Sequence, residues 1–357
     1  MSLPQARSTQ MAREIAEQPE ALRATLEALL PSQGRLSELL SGRRHVLFAA
    51  RGTSDHAAVY GRYLLETQAG LTGGLASPSV ATHYRSDLDL ADSVLVSASQ
   101  SGRTEEIVAT QRWGRDHGAA AVALTNGATS PLAAEADVAL ITRAGEELAV
   151  PATKSYTAQL VGMVVLTLAA LRRRDPQAAD ALEERLRHVP EAVERLLAAR
   201  AGVDAAVEVL ASHRTTVATG RGLLMGTALE TALKIEETCL RPVRGYSYAD
   251  LRHGPIAAVG EGVAAVVHAA ADGPLSEPMV HLARDLQERG ATVIGIGGNP
   301  EFQAAADVHV PGADLPETLA PLANIVPAQL IVEELSRTLG LDPDAPQGLA
   351  KVTRTDA

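Results

Sequence analysis

Ser93-Val94-Leu95-Val96-Ser97-Ala98-Ser99-Gln100-Ser101-Gly102-Arg103-Thr104 is the stretch of this chain that decides its fold. The first six residues form an apolar alternating run, the pattern of a buried strand. The next six are polar and open a segment of helix-forming character. A strand that turns into a helix through small hydroxyl residues leaves backbone N–H groups facing outward. Those donors, the positive end of the helix dipole and the hydroxyls of Ser99, Ser101 and Thr104 together make a seat for a phosphate. Ser and Thr are also ordinary helix N-caps. The turn alone therefore has two readings, and the rest of the chain must choose.

Working outward, the chain repeats itself at an offset of about 170 residues. His45-Val46-Leu47-Phe48-Ala49-Ala50-Arg51-Gly52 is answered by Thr215-Thr216-Val217-Ala218-Thr219-Gly220-Arg221-Gly222. Val94-Leu95-Val96 has its counterpart at Val263-Ala264-Ala265-Val266-Val267, and the Gly118–Thr125 run in Gly290–Gly297. Ala136-Asp137-Val138 then answers Ala306-Asp307-Val308. Each half offers about four short strands separated by helical stretches. That alternation gives parallel sheets covered by helices on both faces, with ligands at the carboxyl ends of the strands. The expected organisation is an N-terminal helical segment (1–42), a first unit (43–175), a linking helix (176–205), a second unit (206–345) and a tail (346–357). Residues 9–42 read as amphipathic helix packed on the first half.

Composition limits what such a protein does. In 357 residues, 46% are hydrophobic and 21% charged, enough apolar material for a sizeable core. Only 3% are aromatic, so Ala, Val and Leu must fill that core. Net charge is −11, and no Lys/Arg cluster forms the basic stripe that a nucleic-acid partner needs. Arg172-Arg173-Arg174 reads as capping of a helix C-terminus. The lone Cys239 excludes an internal disulfide and fits a reducing compartment. No apolar run is read as long enough to span a bilayer, and the N-terminus lacks the apolar core of a signal peptide. A cytoplasmic location without a membrane partner is the expectation. The ten histidines lack metal-ligand spacing. Gly297-Gly298-Asn299-Pro300 reads as a turn, not a dinucleotide fingerprint. Neither metal nor cofactor is expected.

Glu230, Lys234 and Glu237 fall on one face of a helix. Such a stripe is either a solvated surface with ion pairs or the edge of a cleft. The apolar neighbours Leu229, Ala232, Leu233 and Ile235 favour the cleft. There, neighbouring charge and partial desolvation can tune a carboxylate for proton abstraction.

These segments together resemble the sugar isomerase (SIS) superfamily, in particular the isomerase half of glucosamine-6-phosphate synthase and its stand-alone deaminase and isomerase relatives. The resemblance runs through Met11–Pro19, Arg51-Gly52-Thr53-Ser54, Ser99-Gln100-Ser101-Gly102, Val150–Thr157, Leu229–Glu237, Asp250–Pro255 and Gly348–Thr353. It implies two tandem SIS-type three-layer αβα subdomains, each with a mainly parallel sheet. It further implies a phosphate held by Ser99, Gln100, Ser101 and Thr104, and a sugar lying near Gly52, Thr53, Ser54, Val150 and Ala350. Glu237 takes the position of the base that moves a proton between C1 and C2. Glu230 and Lys234 take the accompanying positions. His253 takes that of a ring-opening histidine, supplied across the interface of a homodimer, a task that suits imidazole near neutral pH. Lys351 takes that of a lysine on a tail closing the active site, where a Schiff base can form.

The implied activity is cofactor-independent conversion of glucosamine 6-phosphate to fructose 6-phosphate and ammonia. Two alternatives remain: a dehydratase expelling the C3 hydroxyl of N-acetylglucosamine 6-phosphate, and a non-catalytic sugar-phosphate sensor. The chain also departs from the synthase pattern. It has no glutaminase cysteine near Met1-Ser2, and it carries Arg103, Pro151, Ala152, Asp250, Arg252 and Arg244 where the synthase has other residues.

Overall fold

The computed structural model describes residues 8–351. Two five-stranded sheets form its frame. The first holds β1 (His45–Ala49), β2 (Thr72–Leu75), β3 (Ser93–Ala98), β4 (Ala120–Thr125) and β5 (Val138–Ile141), in the order β2-β1-β3-β4-β5. The second holds β6 (Thr215–Gly220), β7 (Val243–Ser247), β8 (Val263–Ala269), β9 (Thr292–Gly297) and β10 (Val308–Val310), in the order β10-β9-β8-β6-β7. Read from the other edge, the second order is the same as the first. Every pairing is parallel. Helices cover both faces, so the expected tandem αβα architecture stands.

The central strands β3, β4 and β8 are buried along their whole length, which explains their unbroken apolar runs. Each sheet has five strands where about four were legible in each half. The additional ones are edge strands: Thr72-Gly73-Gly74-Leu75 carries two glycines, and Val243–Ser247 carries Arg244 and Gly245, so neither alternates.

The helix Lys154–Arg174 runs through the middle of the molecule. Its length and composition would suffice to cross a bilayer, contrary to the expectation that no run does, but its most apolar window is wholly buried in protein. It is a core helix packed against its neighbours on all sides, and hence apolar all round.

The N-terminal segment forms helices Gln10–Ala16, Gln18–Leu29 and Gln33–Leu39. These do not rest on the first half alone: Thr9 Oγ1 donates to Glu333 Oε1 at 2.7 Å, and the amides of Gln10 and Met11 donate to the Asp344 carboxylate at 2.8 and 2.7 Å. Between the units, two helices (Pro176–Arg187 and Val189–Ala199) stand where a single linking helix is expected, separated at Val189-Pro190. Residue 206, taken as the start of the second unit, lies within the helix Val203–Ser212.

Candidate active site

At the carboxyl ends of β1 and β3 the strand order reverses direction, and a crevice must open there. A cleft of about 450 Å³ lies at that point. Gly52, at φ +55°, turns the chain from β1 into the helix Thr53–Leu64. After β3 the chain turns at Gly102 (φ +63°), where a Cβ would sit 2.2 Å from Ser130 Oγ. A glycine is therefore required there, and the turn closes with the Gly102 amide donating to Ser99 O at 3.1 Å. The next helix, Glu105–Asp116, begins with Thr104 as its N-cap residue. The Thr104 hydroxyl makes no capping bond but lies 3.1 Å from Ser99 Oγ, leaving the helix's first amides to another acceptor. The acidic first turn would repel an anion, but Arg51 holds Glu106 in a two-pronged ion pair at 3.0 and 2.8 Å.

The second unit reaches into this cleft through the helix Met225–Cys239. Lys234 and Glu237 line the cleft and are hydrogen-bonded to each other. Burial works against the Lys234 charge, but Glu230 and Glu237 outweigh it and hold the ammonium above the usual lysine range. Glu230 does not line the cleft. It is fully buried behind it, accepting from Thr53 Oγ1 at 3.0 Å, with His56 Nδ1 2.7 Å and Lys234 Nζ 3.5 Å away. It ties the two units together at the point where their helices cross.

The same cleft is lined by Gly52, Thr53, Ser54, Ser99, Gln100, Ser101, Thr104, Val150, Ala350 and Lys351. Of the expected set, only Glu230 and His253 are not on its wall. His253 lies exposed just past the short helix Tyr248–Arg252, on the second unit. Val352 and Thr353 lie outside the described residues.

The sequence reading missed Arg51 as a cleft residue and His56 as the partner of Glu230. It also missed Glu147, a fully buried carboxylate 3.0 Å from Lys351 Nζ. Burial acts to raise Glu147, but Lys351, the Ser155 hydroxyl and the amides of Thr153 and Ser155 overcome it and hold the group below the usual carboxylate range. Its only sequence mark is proximity, three residues before the Val150–Thr157 segment, which says nothing of its burial. Among the described residues no three His, Cys, Asp or Glu side chains gather to hold a metal ion.

Comparison with known proteins agrees with this fold. A family model described as SIS domain matches residues 39–169 and 209–336. The glutamine–fructose-6-phosphate aminotransferase (isomerizing) of Symbiobacterium thermophilum is 35% identical, aligned to 96% of this chain and 58% of that protein. The chain thus spans less than three fifths of that relative's length. The solved C-terminal domain of glucosamine-fructose-6-phosphate aminotransferase from Francisella tularensis superposes with a TM-score of 0.86 at 27% identity, covering 97% of this chain and all of that one. Glucosamine-6-phosphate deaminase from Thermotoga maritima superposes with a TM-score of 0.76 over 97% of this chain and all of that one; at 23% identity this bears on the fold alone.

Proposed function

Since this chain belongs to the SIS domain family, we propose that it is an isomerase and deaminase of an amino sugar 6-phosphate, converting glucosamine 6-phosphate to fructose 6-phosphate and ammonia. One observation carries the reading: a single cleft joins the Ser99–Thr104 turn to Lys234, Glu237 and Lys351. A phosphate on the turn anchors one end of a sugar, with the carboxylate and two ammonium groups left for the other.

In this reading Glu237 takes the proton from C2 of the open aldehyde form and returns it to C1. The amine-bearing carbon becomes an imine, water adds to it, and ammonia leaves, giving the keto sugar. Lys234 orients Glu237 and neutralises negative charge that develops on the substrate oxygen. Lys351 faces the carbonyl end.

His253 lies outside its own chain's cleft, so we assign it to the cleft of a second copy in a symmetric dimer. Mixing His253→Ala with Glu237→Gln subunits would then restore part of the activity, because one site of each heterodimer holds both groups. No recovery after verified exchange would remove His253 from a shared site.

The substrate is tested by following ammonia and fructose 6-phosphate released from glucosamine 6-phosphate. Turnover without added cofactor supports the reading. Loss of one water from N-acetylglucosamine 6-phosphate, with the free amine inert, would replace it by the dehydratase. Binding without turnover of any hexosamine phosphate would leave a sensor.

A further inference from the structure

The tail that ends the described chain has no secondary structure after Leu341, yet it reaches the cleft. Two attachments hold it. The Asp344 carbonyl accepts from the Val150 amide at 2.8 Å, while the Asp344 carboxylate caps the helix Gln10–Ala16. Seven residues further on, Lys351 Nζ donates to Glu147 Oε2 at 3.0 Å and to Ala149 O at 2.6 Å. The side chains differ sharply in environment: Lys351 is 28% exposed and Glu147 is not exposed at all.

We propose that Glu147 is the positioning residue for Lys351, a buried carboxylate that docks the tail on the cleft wall through the lysine ammonium before any substrate arrives. The remaining acceptor sites of Glu147 are all engaged from within its own loop. Oε1 accepts from the amides of Thr153 and Ser155 at 2.9 and 3.1 Å, and Oε2 accepts from Ser155 Oγ at 2.6 Å. Three donors fix the carboxylate rigidly, so its last lone pair has one direction, and Lys351 occupies it. Glu14, itself buried, accepts the amides of Leu148 and Ala149 from the other side, so the loop does not yield. An uncompensated buried carboxylate is strongly unfavourable; Lys351 is the cation bonded to this one, and the Lys234 charge acts on it from further off. The tail is thereby drawn to the cleft by charge, against the fraying expected of a terminus. The inference rests on the reading above only where it gives Lys351 a part in turnover.

Amide hydrogen exchange of residues 345–351 in the ligand-free full chain tests it. Glu147→Gln keeps an oxygen for the Thr153 and Ser155 amides but offers Lys351 no charge; Lys351→Met removes the ammonium, and with it the bonds to Glu147 and Ala149 O, and leaves the donors from Thr153 and Ser155 in place. Each is expected to speed tail exchange about tenfold, and the double variant to be no faster than either single one, as for two members of one interaction. The Thr153 and Ser155 amides, which Glu147 itself holds, should change less than the tail in Lys351→Met. Tail protection equal to the parent's in Lys351→Met, or effects that multiply in the double variant, would overturn the proposal. In turnover, Glu147→Gln should lower kcat about tenfold with KM within about twofold, and Glu147→Asp should recover part of it. If Lys351→Met releases the tail but leaves kcat intact, the anchor stands and the part given to Lys351 in turnover falls.

Discussion

The two halves of this molecule share a strand order and differ in what stands at the strand ends. In the first, Ala98 is followed by Ser99-Gln100-Ser101-Gly102-Arg103-Thr104, and the crevice is open. In the second, β8 runs into Ala270-Ala271-Asp272-Gly273-Pro274-Leu275, with no hydroxyl before Ser276 and with Glu317 packed against Gly273. Arg51 holds a carboxylate in the first half; its repeat partner Arg221 lies over the Tyr248 ring, 4.5 Å from its centroid. The first half carries the hydroxyl-rich turn. The second lacks that turn and contributes the helix bearing Glu230, Lys234 and Glu237. On the function proposed above, the duplicated fold divides its work, with binding in one copy and proton chemistry in the other.

The sharpest way to break this division is Glu237→Gln. It leaves the turn intact and removes the carboxylate proposed as the base, so turnover should fall about a thousandfold, within the range for lost general-base catalysis. Calorimetry should still detect the sugar phosphate. Activity within about tenfold of the parent would place the base elsewhere.

The seat itself gives the next effect. Ser99→Ala and Ser101→Ala each remove a hydroxyl from the turn proposed to hold the phosphate and should raise KM about 10- to 100-fold. The comparison is sharpened by doing the same in the other half, where Ala271→Ser should change KM by less than about twofold, within the noise of a surface change. Equal sensitivity in the two halves would mean that both bind the substrate.

A third test concerns stability. Ala49 pairs with Ser97 as Thr219 pairs with Val267, so the next residues, Ala98 and His268, occupy equivalent places. Ala98 lines the cleft, whereas His268 fills the second half's strand end, fully buried, with Nε2 2.9 Å from Thr231 Oγ1. Burial lowers it from the usual 6.5 to about 3. Between those values the unfolded chain binds a proton that the folded chain refuses. Stability must therefore fall as pH drops below about 6.5, by up to about 1.4 kcal/mol per pH unit from this group. Urea unfolding of His268→Gln from pH 7 to 4 should show a flatter decline than the parent; parallel lines would show that the buried ring contributes nothing to acid lability.

Much of this division is legible in the sequence. The repeat, the hydroxyl-rich turn and the Glu230–Lys234–Glu237 spacing are local patterns, and local patterns report which face of an element is wet. What they cannot report is contact across the chain. His56 and Glu230 are 174 residues apart, and Glu147 and Lys351 are 204. Glu147 in particular reads as one more acidic loop residue, because nothing near it in sequence says that it is buried or that the tail returns to it. Glu230 shows the converse error: its spacing places it with Glu237, but two turns along the helix it lies behind the cleft wall, where it joins the units instead of lining the cleft. The missing edge strands have the same origin, since an edge strand is specified by the neighbour it pairs with more than by its own alternation.

The smallest effect comes from the acidic corner that replaces the seat in the second half. Asp272 Oδ1 accepts the Glu317 amide at 2.7 Å, and burial, with the Asp272 charge adding to it, raises Glu317 above the usual carboxylate range. A carboxylate raised in the folded state costs stability once pH exceeds its unfolded value, and the cost grows until the folded value is passed. Asp272→Asn retains the oxygen that accepts the amide and removes the like charge. Thermal unfolding at pH 7 should therefore show a gain of no more than about 0.5 kcal/mol. At pH 4, where Glu317 is protonated in the folded chain, the gain should shrink. Turnover should be unchanged, because neither Asp272 nor Glu317 lines the cleft. A loss of activity in Asp272→Asn would return the second half's strand ends to the chemistry and undo the division between the two copies.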